Sequence, residues 1–293
     1  MSAWLIGVVI VLIGAALWYL LIATEGVYLG RRVVIALYDL YARRYDRIKQ
    51  FDEAWELQTL ATPLVKALSG VPQPLILDVA TGTGRVPKLL RRVPHFNGQV
   101  IGVDYSWQML RRAAEKLGKS RRTVLIHQDA TQLPFSDATF DAVVCLEALE
   151  FLPDQAAALA EIVRVARPSA PILLTNRRGF YARLLRGKVR SSAAFAERLR
   201  REYGLEQVEV EAWQMEYDLI WAIKSGQADE MARPRTWQAV LRCPRCAQVG
   251  FRKESERRLR CAHCDQTLTF TEGILRYAAA LRTTKGERSV SFG

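Results

Sequence analysis

Charge is missing from the beginning of this 293-residue chain: no acidic or basic side chain precedes Glu25. A cleaved secretory signal needs basic residues ahead of a short apolar stretch and a small-residue cleavage site, and the opening does not fit that pattern. No internal repeat is apparent, and half the residues are hydrophobic and a quarter charged. That composition excludes a mainly disordered or collagenous chain and leaves length for a sizeable core with one or two smaller modules. Cysteine is sparse. Of five, four fall in two pairs, Cys243-Pro-Arg-Cys246 and Cys261-Ala-His-Cys264, while Cys145 stands alone in an apolar segment.

What fills the uncharged opening is apolar. Residues 3–23 would span about 31 Å as a helix, the thickness of a bilayer's hydrocarbon core. Trp4 lies at one end and Trp18 and Tyr19 near the other, as interfacial aromatics do. The first basic residues, Arg31, Arg32, Arg43, Arg44, Arg47 and Lys49, all follow the run. The positive-inside bias then predicts a single-pass anchor, with the bilayer as partner through residues 3–23 and the rest of the chain in the cytoplasm. A reducing cytosol disfavours disulfides, so Cys243, Cys246, Cys261 and Cys264 are expected to supply four thiolates to a structural zinc ion. His263 is the alternative ligand inside the second knuckle. Cys145 is expected to be a small buried apolar residue.

Between these landmarks, strand and helix patterns alternate. Strands are predicted at 75–80, 99–104, 124–127, 140–146 and 172–175, with helices at 85–92, 106–117 and 155–166. Such alternation implies an α/β fold around a parallel sheet with right-handed crossovers. Further on, Val208, Val210 and Ala212 alternate with Glu209 and Glu211, and residues 217–223 are mostly apolar, which suits a terminal antiparallel pair.

Chemistry concentrates where the first strand meets its helix, in Asp78-Val79-Ala80-Thr81-Gly82-Thr83-Gly84-Arg85. Glycines there let a backbone approach a ligand closely, and the following helix offers unpaired N–H groups. Asp104 ends the second strand 20 residues after Gly84, where a carboxylate can accept both ribose hydroxyls of an adenosine. A dinucleotide fingerprint wants Gly or Ala three residues after Gly84, and Pro87 stands there instead.

With these residues, the chain resembles the class I S-adenosylmethionine-dependent methyltransferases, in particular the group that includes the ubiquinone and menaquinone biosynthesis enzymes. The resemblance runs from about residue 38 to 224. It rests on Tyr41-Ala42-Arg43-Arg44-Tyr45-Asp46, on the loop ending at Gly84, on Gly102-Val103-Asp104-Tyr105-Ser106, on Gln128-Asp129-Ala130 with Leu133-Pro134-Phe135, and on Arg164-Val165 with Arg167-Pro168. It implies a doubly wound, mostly parallel seven-stranded sheet and S-adenosylmethionine as cofactor. It also implies Asp78, Ala80, Thr81, Gly82 and Gly84 near the methionine end, Asp104 on the ribose, Tyr105 against the adenine, Asp129 accepting from the adenine amino group, and Ala130 giving close backbone approach. Ala80 occupies a position many relatives fill with Gly. Methyl transfer from a sulfonium needs alignment more than a covalent nucleophile; no general base stands out, and Glu147 and Glu150 are candidates for binding the acceptor.

Residues 177–201 carry nine basic residues against one acid, Glu197, with Phe180, Tyr181, Leu184 and Leu185 as an apolar stripe. A basic amphipathic segment near an anchor reads as docking on anionic lipid, or as a solvated cover over the site mouth. The last module, from 241 to 277, resembles the zinc-binding activator subunit of tRNA, ribosomal RNA and release-factor methyltransferases. The expected organisation is an anchor (1–25), a juxtamembrane helical segment (26–50), a methyltransferase domain (51–224) with a basic insert (177–203), a linker (225–235), a zinc ribbon (236–280) and a loose tail (281–293). The expected activity is methyl transfer to a lipid-soluble or membrane-associated small molecule. Two readings stay open beside it: methylation of RNA or a translation protein, and a catalytically silent scaffold.

Overall fold

The computed structural model describes residues 3–227 and 236–278. Most of the expected linker, from 228 onward, and the expected tail at 281–293 lie outside the described residues. The chain opens with α1 (Ala3–Trp18), which runs through a wider helical turn, Tyr19–Ala23. Trp4–Ala23 is one helix long and apolar enough to cross a membrane. After a tight turn at Gly26 come α2 (Arg31–Tyr41), α3 (Tyr45–Lys49), α4 (Glu53–Glu56) and α5 (Thr62–Ala67).

The doubly wound part then follows as β1 (Leu75–Val79), α6 (Arg85–Leu90), β2 (Gln99–Asp104), α7 (Trp107–Leu117), β3 (Thr123–His127), β4 (Ala142–Cys145), α8 (Gln155–Val165) and β5 (Pro171–Arg177). Every residue of β1 is buried, as a central strand covered on both faces requires. Its side chains alternate: Leu75, Leu77 and Val79 enter one core, Ile76 the other. In α7, Met109, Leu110, Ala113 and Leu117 form the buried stripe; Ser106 Oγ accepts from Met109 N at its start, and Gly118 takes a left-handed φ at its end. Asp154 caps α8 in the same way. Cys145 is fully buried in β4.

The basic stretch is two helices rather than one, α9 (Gly179–Leu184) and α10 (Ser192–Tyr203), after which β6 (Leu205–Gln214) and β7 (Tyr217–Lys224) form the antiparallel pair. The last described part holds α11 (Trp237–Val240), β8 (Phe251–Ser255), β9 (Arg258–Cys261), β10 (Thr267–Thr271) and β11 (Ile274–Leu275).

The strand order is β6-β7-β5-β4-β1-β2-β3-β11-β10-β9-β8, so among the described residues the sheet has eleven strands, the expected seven extended by four more. The first seven make the mostly parallel sheet, with β7 antiparallel between β5 and β6. The other four come from the cysteine-bearing module, whose β11 pairs in parallel with β3. An exposed β3 would leave a row of unpaired backbone donors and acceptors, and β11 covers it. Arg242 N also donates to Pro134 O at 2.8 Å, and Trp237, Val240 and Leu241 enter the main core beside Phe135. The two parts share one hydrophobic interior.

Gly84 caps α6 at φ +78°, and a Cβ there would lie 2.9 Å from Leu117 Cδ1; Gly82, at φ +54°, has no such neighbour. Gly84→Ala is expected to destabilise the domain by about 1–3 kcal/mol, strain plus overpacking. Gly82→Ala should cost only about 1 kcal/mol. Chemical unfolding of the detergent-solubilised chain checks the order.

Candidate active site and metal centre

The turn after β1 is bound to the end of β2. Ala80 adopts φ +55°, a left-handed conformation that costs an alanine more than a glycine, and Thr81 N donates to Val103 O at 3.0 Å. Gly82 N then donates to Asp104 Oδ2 and Ser106 N to Asp104 Oδ1, each at 2.8 Å. The glycine turn and the carboxylate therefore meet on one wall. Burial pushes the Asp104 carboxyl up to about 6 even though these N–H groups favour its charge. Asp78 is buried beneath, accepts from Thr81 Oγ1 at 2.5 Å, and is pushed by burial up to about 7.

A cleft with about 820 Å³ of free space, open solvent at its mouth included, lies on this wall, within the range of small-molecule sites. Of the residues singled out in the sequence, Ala80, Gly82, Asp104, Tyr105, Asp129 and Ala130 line it. Asp78, Thr81 and Gly84 stand behind it: the first two bond each other, and Gly84 faces α7. Asp46, from the 41–46 motif, accepts from Thr83 Oγ1 at 2.5 Å and pairs with Lys116, which ties the helices after the apolar run to the turn.

Sequence reasoning missed Arg31. Its Nη1 lies 2.6 Å from Asp129 Oδ2, and its guanidinium sits 3.8 Å over the Tyr105 ring. This side chain fills the gap between the two residues expected to hold a nucleobase. Its one signal in the sequence, a first cation after an apolar run, reads equally well as a topology marker.

The apolar lining of the cleft comes from Val34, Ile35 and Tyr38 of α2 and from Phe151, Leu152 and Pro153 after β4. Glu147 lines it as well, at φ +52°. Arg85 Nη1 donates to Glu147 at 2.6 Å and Lys49 Nζ at 2.9 Å. Burial opposes its charge, but the two cations outweigh burial and hold the carboxyl below its ordinary range. Glu150 does not line the cleft; it is buried and accepts from Tyr217 OH at 2.7 Å.

Cys243, Cys246, Cys261 and Cys264 converge, with ligand atoms all within 4.8 Å of one another. The Cys243–Cys264 and Cys246–Cys261 sulfurs are 3.7 Å apart, close to the edge of about 3.8 Å that a tetrahedron of 2.3 Å zinc–sulfur bonds requires. His263 is outside the cluster, its Nε2 3.1 Å from Val249 O.

Residues 77–174, from β1 into β5, match the family model described as a methyltransferase domain. Among particular relatives, the demethylmenaquinone methyltransferase of Thermobifida fusca (strain YX) is 35% identical over 150 residues, 49% of this chain and 60% of that protein. The enzyme of the same name from Lactiplantibacillus plantarum is 35% identical over 148 residues, 48% of this chain and 60% of its own length. The chain thus spans three fifths of these relatives. The crystal structure of the CurJ carbon methyltransferase shares the fold, with a TM-score of 0.50 at 15% identity over 58% of this chain and 54% of that one.

The intact chain is expected to carry one equivalent of zinc by elemental analysis, and Cys261→Ser to lose it. Because β11 is paired to β3, chelation should also lower the melting temperature of the whole domain.

Proposed function

We propose that the chain is a membrane-anchored, S-adenosylmethionine-dependent methyltransferase, its catalytic part in the cytoplasm, that methylates a lipid-soluble, quinone- or lipid-like acceptor. One observation carries the reading: a cleft lined by the Gly82 turn and the Asp104 carboxylate is also lined by apolar side chains of α2, the helix that follows the apolar Trp4–Ala23 run. The demethylmenaquinone methyltransferases named above support a quinone-like acceptor. The cysteine cluster holds a structural zinc.

Asp104 would accept the ribose hydroxyls, Tyr105 and Asp129 would hold the base, and Ala80, Gly82 and Ala130 would let the backbone approach. The bound cofactor supplies a methyl group already activated by its positive sulfur. The chain's own contribution is positional. Val34, Ile35, Tyr38 and Phe151 exclude water and orient an apolar acceptor, while the pinned Glu147 presents a fixed carboxylate at the cleft wall.

With radiolabelled methyl donor, lipid extracts are expected to take up label and total RNA is not; label in RNA alone overturns the acceptor assignment. Asp104→Ala should abolish donor binding in a calorimetric titration. Donor affinity should be flat above about pH 6 and fall by up to tenfold per unit below it, as Asp104 is protonated. The linkage for the donor-free fold runs the other way. Asp78 and Asp104 titrate higher folded (about 7 and about 6) than the ordinary carboxyl, so their stabilising protons are lost as pH rises through 6–7. The donor-free domain should melt higher at pH 5 than at pH 8. Arg31 must leave the base site when the donor enters, so Arg31→Ala should tighten donor binding about fivefold, equivalent to about 1 kcal/mol.

A further inference from the structure

The foot of the apolar helix is bonded to the basic insert. Tyr19 OH donates to Leu184 O at 3.0 Å, and Tyr28 OH donates to Leu184 O at 3.2 Å and to Arg186 O at 2.9 Å. The two tyrosine rings stack with centroids 6.2 Å apart. Leu184 ends α9, and its carbonyl is one of those a helix leaves without an internal partner; both anchor tyrosines satisfy it. Tyr19 lies four residues before Ala23, the end of the apolar span, about 6 Å inside it at helical rise. The C-terminal end of α9 is therefore held beside the last turn of the span.

The side chains around that point are sorted. Phe180 is 65% exposed, and Arg183, Arg186 and Arg190 are exposed and pair with no acid among the described residues. The other six cations of the stretch have partners within the chain: Arg177 pairs with Glu25 and Glu216, Arg178 with Asp218, Arg198 with Glu202, Arg200 and Arg201 with Glu197, and Lys188 Nζ donates to Leu152 O. Behind them Leu185 is fully buried against Val27, Val34 and Phe151, the last two of which line the cleft.

We propose that residues 179–190 are a second membrane contact, lying at the headgroup level of the same leaflet that the span leaves, with Phe180 in the acyl boundary and Arg183, Arg186 and Arg190 on anionic phospholipid. Only a layer of side chains then separates the bilayer from the apolar lining of the cleft at Val34 and Phe151, so an acceptor reaches it from the leaflet without crossing water. This rests on Trp4–Ala23 crossing the membrane, and not on the identity of the acceptor.

The full chain in nanodiscs of phosphatidylcholine with one third phosphatidylglycerol tests it, using p-benzoylphenylalanine in place of Leu12, Phe180 or Glu209. Photolysis is expected to label lipid from positions 12 and 180 and not from the exposed strand position 209. The triple variant Arg183→Glu, Arg186→Glu, Arg190→Glu should lower the yield at 180 roughly tenfold, as should neutral discs, with the yield at 12 and donor affinity unchanged. Label at 12 without label at 180 overturns the contact and leaves the anchor standing. No label at 12 overturns both, and a crosslink from 180 to added RNA in place of lipid overturns the contact in favour of a nucleic-acid surface. None of these outcomes bears on methyl transfer, which the radiolabel assay reads separately.

Discussion

The arrangement depends on one half-buried carboxylate. Asp104 sits where β2 ends, both its oxygens already engaged by the backbone N–H groups of Gly82 and Ser106. Those bonds join the turn after β1 to the start of α7 through one side chain. Burial disfavours the charge and the N–H groups favour it. Ala80 and Glu147, both at positive φ and both on the cleft wall, are strained positions gathered at the same place, as functional sites tend to show.

Two neighbours act on this centre from outside the doubly wound core. On one side, β11 closes the β3 edge and brings the cysteine cluster into the same sheet. A segment of this size lacks the apolar area to fold alone, and here it borrows the interior of the larger domain through Trp237, Val240 and Leu241. On the other side, α2 continues from the apolar helix into the cleft, and carries Arg31 at its start with Val34 and Tyr38 further along. The apolar helix and the Tyr105–Asp129 wall of the cleft are thereby joined through one short helix.

The central strands were readable because each is a short apolar run ended by a turn residue, and the helices because their apolar stripes are bounded by Ser106, Gly118 and Asp154. These are local signals that act over a few residues. Asp104 and Gly82 were readable as one wall because topology puts the ends of adjacent parallel strands side by side. The basic stretch was less legible. Its charges looked equivalent in sequence, yet Arg177 is buried among Glu25, Glu216 and aromatic rings while Arg183 faces out, a difference made by partners far along the chain.

The sequence by itself determined the alternating α/β pattern, the four converging thiols, the uncharged opening run and the spacing that brings a carboxylate to a glycine turn, since each follows from periodicity or from residues close in the chain. Only the tertiary structure decided that β11 extends the sheet past β3, that Arg31 lies between Tyr105 and Asp129, and that Tyr19 holds the Leu184 carbonyl across 165 residues. Those contacts join segments with no short-range relation, and their geometry exists only after the whole interior has packed.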